Sequence, residues 1–213
     1  VKSTLSKVIM GDNNYKVING DIIVDNNSIL DLSTDKRSKL GIFLAMQAPM
    51  EIEGVSNQDF LRTAMSSLEQ KNIGLYDFIL KCEKACEDLK MDKNLIHRSL
   101  NVGFSGGEKK KNEVLQIKLL QPKFIILDEL DSGLDVDSLK IVSENIKDYK
   151  GNNPNTSILI ITHHPKILEY LKPDYVHIIN DGKIIKTDTY KLALDIEQNG
   201  YNKYINSTNR GLL

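Results

Sequence analysis

Short apolar runs that end in charge alternate in this chain with longer stretches whose apolar residues recur at helical spacing. Phe124 to Leu127 is wholly apolar, follows Pro122 and runs straight into Asp128 and Glu129. That pattern predicts a strand buried on both faces with two carboxylates at its carboxyl end, where open α/β sheets place their ligands. Ile42 to Met46, ending in Gln47-Ala48-Pro49, predicts a second buried strand. Ser157 to Ile161, ending in Thr162-His163-His164-Pro165, predicts a third. Between Glu129 and Ser157, Val136, Leu139, Ile141, Val142 and Ile146 share one helix face. Strand, helix and strand in this order predict a right-handed parallel βαβ unit, which sets Glu129 and His163 at one sheet edge. Tyr175 to Ile179 and Lys183 to Lys186 flank Asn180-Asp181-Gly182 and predict a hairpin.

The remaining pattern is mostly helical. Lys2-Ser3-Thr4, followed by Leu5, Val8 and Ile9, reads as a helix start. Val17 to Leu30 predicts two short strands, Ile22 to Val24 and Ile29-Leu30, around Asp25-Asn26-Asn27. Ser33 to Lys39 predicts one capped turn of helix closed by Gly41. From Glu51 to His97 the character is helical, with amphipathic segments over Asn57 to Leu68 and Asp77 to Leu89. Cys82 and Cys86 share an apolar face of the second, which predicts packing rather than metal binding. In Asn101 to Leu120, Ser105 and Glu108 form a capping box ahead of Val114, Leu115, Ile117 and Leu119. Gly106 and Gly107 are not needed for capping and cost about 1 kcal/mol each in helix propensity. They make sense if a phosphate must reach bare amides at the positive end of the helix. Lys109, Lys110 and Lys111 read as a solvated face, and the tail from Asp188 as helical at first and then polar.

Composition narrows the function classes. The 213 residues carry a formal charge of −1, with no strongly basic block of the kind that marks a nucleic-acid binder. No apolar run approaches the ~20 residues of a membrane span, so direct membrane insertion is not expected. Two cysteines without a disulfide pattern fit a reducing compartment. The chain opens on Val1 and reads as a piece whose targeting segment would not be visible.

The order Lys2-Ser3-Thr4, Gln47, Phe104-Ser105-Gly106-Gly107-Glu108, Phe124 to Glu129, Ser132-Gly133-Leu134-Asp135 and Thr162-His163 resembles the ATPase subunits of the ATP-binding-cassette (ABC) family. The resemblance covers nearly the whole chain. It implies an α/β fold: a P-loop NTPase core with a mainly parallel sheet flanked by helices, and an inserted helical subdomain. Residues 1–48 and 121–213 would form the core, and 49–120 the subdomain with the signature motif. ATP and Mg²⁺ are the implied ligands. Lys2, Ser3 and Thr4 would hold phosphate, and Ser3, Gln47 and Asp128 would serve Mg²⁺. Glu129 would activate water, with Gln47 and His163 beside it and His164 the first substitute for His163. Ser105, Gly106 and Gly107 would complete the nucleotide site of a second copy, so that ATP joins two heads, and Glu108 and Asp135 would also bind nucleotide. The family's phosphate-loop glycines are absent, and Val1 stands where the last would be. The chain is therefore expected to lack most of that loop and the preceding strands, and to be inactive by itself although its full-length form hydrolyses ATP.

Ala45 to Ala64, Asn101 to Gln116 and Leu171 to Ile179 are similar to the SufC branch, the ATPases of the SUF iron–sulfur cluster assembly system. Phe-Ser-Gly-Gly-Glu in place of the transporter-typical Leu-Ser-Gly-Gly-Gln points the same way. This resemblance implies SufB- and SufD-like scaffold partners, docked near Ile52 to Asn57, in a bacterial cytoplasm or a plastid-type stroma. A transporter ATPase and a non-hydrolysing nucleotide-binding scaffold are the alternatives. A chromosome-maintenance ATPase would need a long coiled coil, for which the ~50 residues between Gln47 and the signature leave no room.

Overall fold

The computed structural model describes residues 2–163 and 166–209. Its centre is a parallel sheet of β3 (Ile42–Ala45), β6 (Phe124–Asp128) and β7 (Ser157–Ile161), with β6 in the middle. Ile42 to Ala45 pair with Phe124 to Leu127, and Phe124 to Asp128 pair with Ser157 to Ile161. The pleat sends alternate residues to opposite faces. Ile42, Ile126 and Ile161 pack on one face against Ile9 and Met10 of α1 (Lys2–Met10). Ala45, Ile125 and Leu127 pack on the other, within the large core built by α5 (Gly106–Leu120) and α6 (Val136–Asn152). The three predicted core strands and the crossover helix are all present.

The smaller elements follow local chemistry. β1 (Ile23–Val24) and β2 (Asn27–Ser28) are antiparallel around Asp25 and Asn26, both at positive φ. The second strand thus falls earlier than Ile29-Leu30, because Ile29 is fully buried in the core beneath the sheet. α2 (Thr34–Lys39) begins after Ser33 and is closed by Gly41 at φ 92°. Its Arg37 is buried and donates to the carbonyls of Val8, Ile9, Leu30 and Leu32, which ties the end of α1 to the hairpin.

α3 (Asn57–Glu69) and α4 (Leu75–Asp88) match the two amphipathic patterns, and both touch α5. A 3₁₀ turn over Lys93–His97 follows them. Within this helical stretch, β4 (Ile52–Ser56) pairs with β5 (Ser99–Leu100), an antiparallel contact the helical reading did not anticipate. β5 is two residues long and β4 is largely exposed, so neither shows a buried-strand pattern. α7 (Lys166–Leu171) leads to the hairpin of β8 (Val176–Asn180) and β9 (Lys183–Asp188), which turns at Asp181 and Gly182 as predicted. α8 (Lys191–Asn199) and α9 (Asn202–Asn209) end the described chain, so the polar tail is also helical. No described helix is long and apolar enough to cross a membrane.

Cys82 and Cys86 are fully buried in the core against α4's neighbours. Burial pushes their thiols up to about 12 and about 11, which suppresses thiolate. Native protein should therefore react with a thiol reagent far more slowly than urea-unfolded protein. Cys82→Ala/Cys86→Ala should stay folded at a cost of about 1–3 kcal/mol in urea denaturation. Fast native labelling would show that the helix face opens.

Candidate active site

Period-two alternation decides where Asp128 goes: it continues the Phe124–Ile126 face and meets α1, while Glu129 steps off the strand. Asp128 is 4% exposed. It accepts hydrogen bonds from Ser6 Oγ at 2.7 Å and from Ser3 Oγ at 3.4 Å. Ser6, itself fully buried, lies one helical turn after Ser3 and also donates to the Ser3 carbonyl at 2.9 Å. The sequence reading picked Ser3 and passed over Ser6, although the i,i+3 spacing puts both on one face. Thr4 is exposed on α1, and the side chain of Lys2 lies outside the described residues.

Glu129 stands at φ 51°, a conformation uncommon for a residue of this size. Its amide donates to the Ile161 carbonyl at 2.8 Å, which fixes the turn against the end of β7. The carboxylate then receives two partners. Gln47 Nε2 donates to Oε2 at 2.6 Å, and His163 Nδ1 lies 3.1 Å from Oε1. A carboxylate only accepts, so His163 carries its proton on Nδ1 in this arrangement. The residues just past the carboxyl ends of β3 and β7 thus converge on the carboxylate at the end of β6. Thr162 Oγ1 donates to both Asp131 oxygens, at 3.2 and 3.0 Å, and ties the loop after β6 to the end of β7. His164 lies outside the described residues.

Met46, just before Gln47, is held from α5. Its amide donates to Glu113 Oε1 at 2.6 Å, and its carbonyl accepts from Lys110 Nζ. Lys110 and Glu113 also pair with each other at 3.2 Å, and each is under 5% exposed. Lys110 therefore does not belong to a solvated face as the lysine run suggested. Burial against the end of β3, with Glu113 one turn on, turns its ammonium inward. Burial pushes the Glu113 carboxyl up to about 7, against the pull of Lys110 and the Met46 amide. Neither residue was read as part of the site.

The predicted capping box is present: Ser105 Oγ accepts from the Glu108 amide at 3.2 Å, and Glu108 accepts from the Ser105 amide at 2.7 Å. Those bonds hold Glu108 below the usual carboxylate range. A Cβ on Gly106 would come no nearer than 3.7 Å to the Gly133 carbonyl, and one on Gly107 no nearer than 3.7 Å to Ser138 Oγ. The chain's own packing leaves room for a side chain at both, so the bare backbone there is available to a ligand. Asp135 caps α6 by accepting from the Ser138 amide and hydroxyl, at 2.7 and 3.0 Å, and these bonds hold its carboxyl low.

The predicted residues fall into two sets of contacts. Ser3, Gln47, Asp128, Glu129 and His163 gather at the carboxyl edge of the sheet. Ser105, Gly106 and Gly107 gather with the Gly133–Ser138 segment. The first group suits a hard cation with a phosphate ligand: one buried carboxylate, the Ser3 hydroxyl, and a Gln47 carbonyl oxygen left by the amide bond to Glu129. Among the described residues no three His, Cys, Asp or Glu side chains form a metal cluster, so the hydroxyl and amide oxygens are what such a site would draw on.

A family model described as "ABC transporter" matches residues 2–132. A Streptococcus pyogenes serotype M3 protein named "Probable ABC transporter ATP-binding protein" is 46% identical over 202 residues, covering 94% of this chain and 78% of that one. Vegetative protein 296 of Bacillus subtilis is also 46% identical over 202 residues, with 94% and 77% covered. The "Probable ATP-dependent transporter ycf16" of Trieres chinensis is 46% identical over 204 residues, with 94% and 80% covered. Among solved structures, the dimeric ABC transporter cassette MJ0796 superposes with a TM-score of 0.75 at 15% identity, covering 89% of this chain and 80% of that one. At that identity the likeness concerns the fold.

Glu113 offers a pH test of this geometry. Its carboxyl rises from a usual 4.5 to about 7, so the folded protein binds the proton more tightly than the unfolded chain. The resulting stabilisation is complete below the unfolded value and is lost as pH rises through the folded one. Relative to Glu113→Gln, which cannot ionise, wild type should lose on the order of 3 kcal/mol as pH rises from about 4.5 to about 7.5. Urea unfolding across that range reads the difference. Parallel profiles would show that Glu113 ionises as readily folded as unfolded.

Proposed function

The chain belongs to the ABC transporter family of ATP-binding proteins, and on that premise we propose that it is the ATPase of a SUF-type iron–sulfur cluster assembly complex. In this reading ATP-driven dimerisation and hydrolysis reshape a SufB–SufD-like scaffold. The observation that carries the hydrolase part is the convergence of Gln47 and His163 on Glu129, beside the buried Asp128. Residues 1–48 and 121–213 act as the ATPase core, and 49–120 as the helical subdomain that carries the signature.

The roles follow from charge and position. Lys2, Ser3 and Thr4, at the positive start of α1, bind the β- and γ-phosphates of ATP. Ser3, Asp128 and Gln47 hold Mg²⁺, which when bound draws charge from the phosphate oxygens. Glu129 accepts the proton of the attacking water and sets its direction. Its two hydrogen bonds fix the plane of the carboxylate, so little reorientation is left to the moment of reaction. His163 meets the γ-phosphate as it departs. Ser105, Gly106, Gly107, Glu108 and Asp135 complete the site of a second copy. That arrangement is supported by the dimeric, and the ADP- and phosphate-bound, forms of MJ0796.

The SUF part rests on the segments Ala45 to Ala64 and Asn101 to Gln116, and on what they border. An open groove of about 1190 Å³ lies beside β3, lined among others by Leu40, Leu44, Met46, Met50, Phe60 and Ala64. The groove also reaches Ser6, Gln47 and Asp128, and the apolar part of its lining suits a protein partner. The second reading, a transporter ATPase, is favoured by the printed names of the Streptococcus and Trieres relatives. Both readings use the same chemistry and differ in what fills the groove.

Glu129→Gln should lower ATP hydrolysis by about 10²–10⁴-fold while ATP binding persists. His163→Ala should likewise depress turnover and spare binding. Steady-state hydrolysis and nucleotide titration of the natural protein separate these outcomes. Loss of binding as large as the loss of turnover would make Glu129 structural. For the partner, Val55 on β4 is 38% exposed and is not one of the residues assigned to the catalytic site. Val55→Glu should weaken capture of a SufB–SufD pair with basal hydrolysis preserved. Equal capture by both proteins would remove this segment from the interface, and capture of membrane subunits by wild type would favour the transporter.

A further inference from the structure

Burying an ion pair is weak support for stability, because desolvation offsets the mutual attraction. Lys110 and Glu113 are nonetheless buried together, and both side chains are directed at the two backbone groups of one residue. The Met46 amide donates to Glu113 and the Met46 carbonyl accepts from Lys110. Met46 lies just past the β-ladder, which ends at the Ala45–Leu127 pair. Sheet hydrogen bonds therefore do not order it, and α5 does. The next residue is Gln47, whose amide reaches Glu129 at 2.6 Å.

The same helix holds the other end of the segment. Asn112 Nδ2 donates to Asn101 Oδ1 at 2.9 Å, and Asn101 Nδ2 donates to the Met50 carbonyl at 2.8 Å. Asn112 and Asn101 are both buried, and Asn112 also accepts from Asn57 Nδ2 at 2.6 Å. Residues 46 to 50 are thus pinned at both ends by α5, the helix whose first turn is Ser105–Glu108.

We infer that Lys110 and Glu113 are positioning residues that place Gln47 on Glu129 and make that placement follow the position of the Ser105–Glu108 helix. This rests on the hydrolase reading. A rigid connection runs from the helix start, where a second copy's phosphate is proposed to bind, through one and two helical turns to Met46 and so to Gln47. The pair does not touch the reacting atoms. Its influence passes through the backbone of one residue.

The test exchanges the pair for apolar side chains of similar length in the natural protein. Lys110→Met/Glu113→Leu should keep the unfolding midpoint at or above wild type, as buried-pair replacements often do. Its kcat should fall by about 10- to 100-fold, the scale of a small misplacement, with KM for ATP changed less than about threefold. In a Gln47→Ala background the same exchange should cost less than about twofold more, because nothing remains to be positioned. An unchanged kcat, a change confined to KM, or an equal loss in both backgrounds would overturn the inference. Should the double variant fail to fold, Lys110→Met, which removes the donor to the Met46 carbonyl, is read by the same two ratios. A wild type that binds ATP but does not hydrolyse it would overturn the hydrolase reading and this inference with it. Active wild type with an indifferent pair overturns the inference alone.

Discussion

Everything at this site depends on β6 being covered on both faces. A strand buried on one side would need polar residues at alternate positions, and its end would be one solvated edge among many. With Ile126 against α1 and Ile125 and Leu127 against the α5 and α6 core, the strand is held rigidly. The pleat then sends Asp128 to the α1 face, and the positive φ of Glu129 turns that residue off the strand end. Asp128 is delivered to the serines of α1, and Glu129 to the ends of β3 and β7. Two like charges on adjacent residues are separated by backbone geometry, which lets each take a different chemical task.

The second organising element is α5. Its apolar residues Val114, Leu115 and Ile117 are fully buried, which anchors it in the core. Three of its polar residues are buried too, and with the half-buried Lys118 they are spent on neighbouring chain segments: Lys110 and Glu113 on Met46, Asn112 on Asn101 and Asn57, and Lys118 on Asp88 and Asn145. Buried polar groups are costly unless satisfied, and once satisfied they admit few alternative arrangements. The helix is therefore tied by direction-specific contacts to the segment that carries Gln47, where an apolar contact would let the two slide.

Much of the fold was legible because its signals are local. The apolar runs at Ile42, Phe124 and Ser157, the spacing of Leu61 with Met65 and of Phe78 with Cys82, the Ser105–Glu108 cap and the Asp181-Gly182 turn each act within a few residues. Each of these appears where the pattern put it. β4 and β5 were not legible, since their partnership joins Ile52 to Leu100 across two helices and neither segment has a buried face of its own. Ser6 escaped because a serine one turn into a helix looks like any exposed serine until Asp128 is brought to it.

The sequence by itself determined the order of elements, the two carboxylates at a strand end, the helix start with bare glycines, and the residues Gln47, Glu129 and His163 at three strand ends. Short-range sterics and hydrophobic period suffice for these. Only the tertiary structure decided that Gln47 and His163 share one carboxylate, that the signature helix grips Met46, and that Lys110 turns inward while Lys109 and Lys111 are not buried. Those outcomes depend on which segments, up to 82 positions apart along the chain, are brought within hydrogen-bond distance. A lysine's environment is set by what packs over it, and nothing in a run of three lysines says which one the fold will cover.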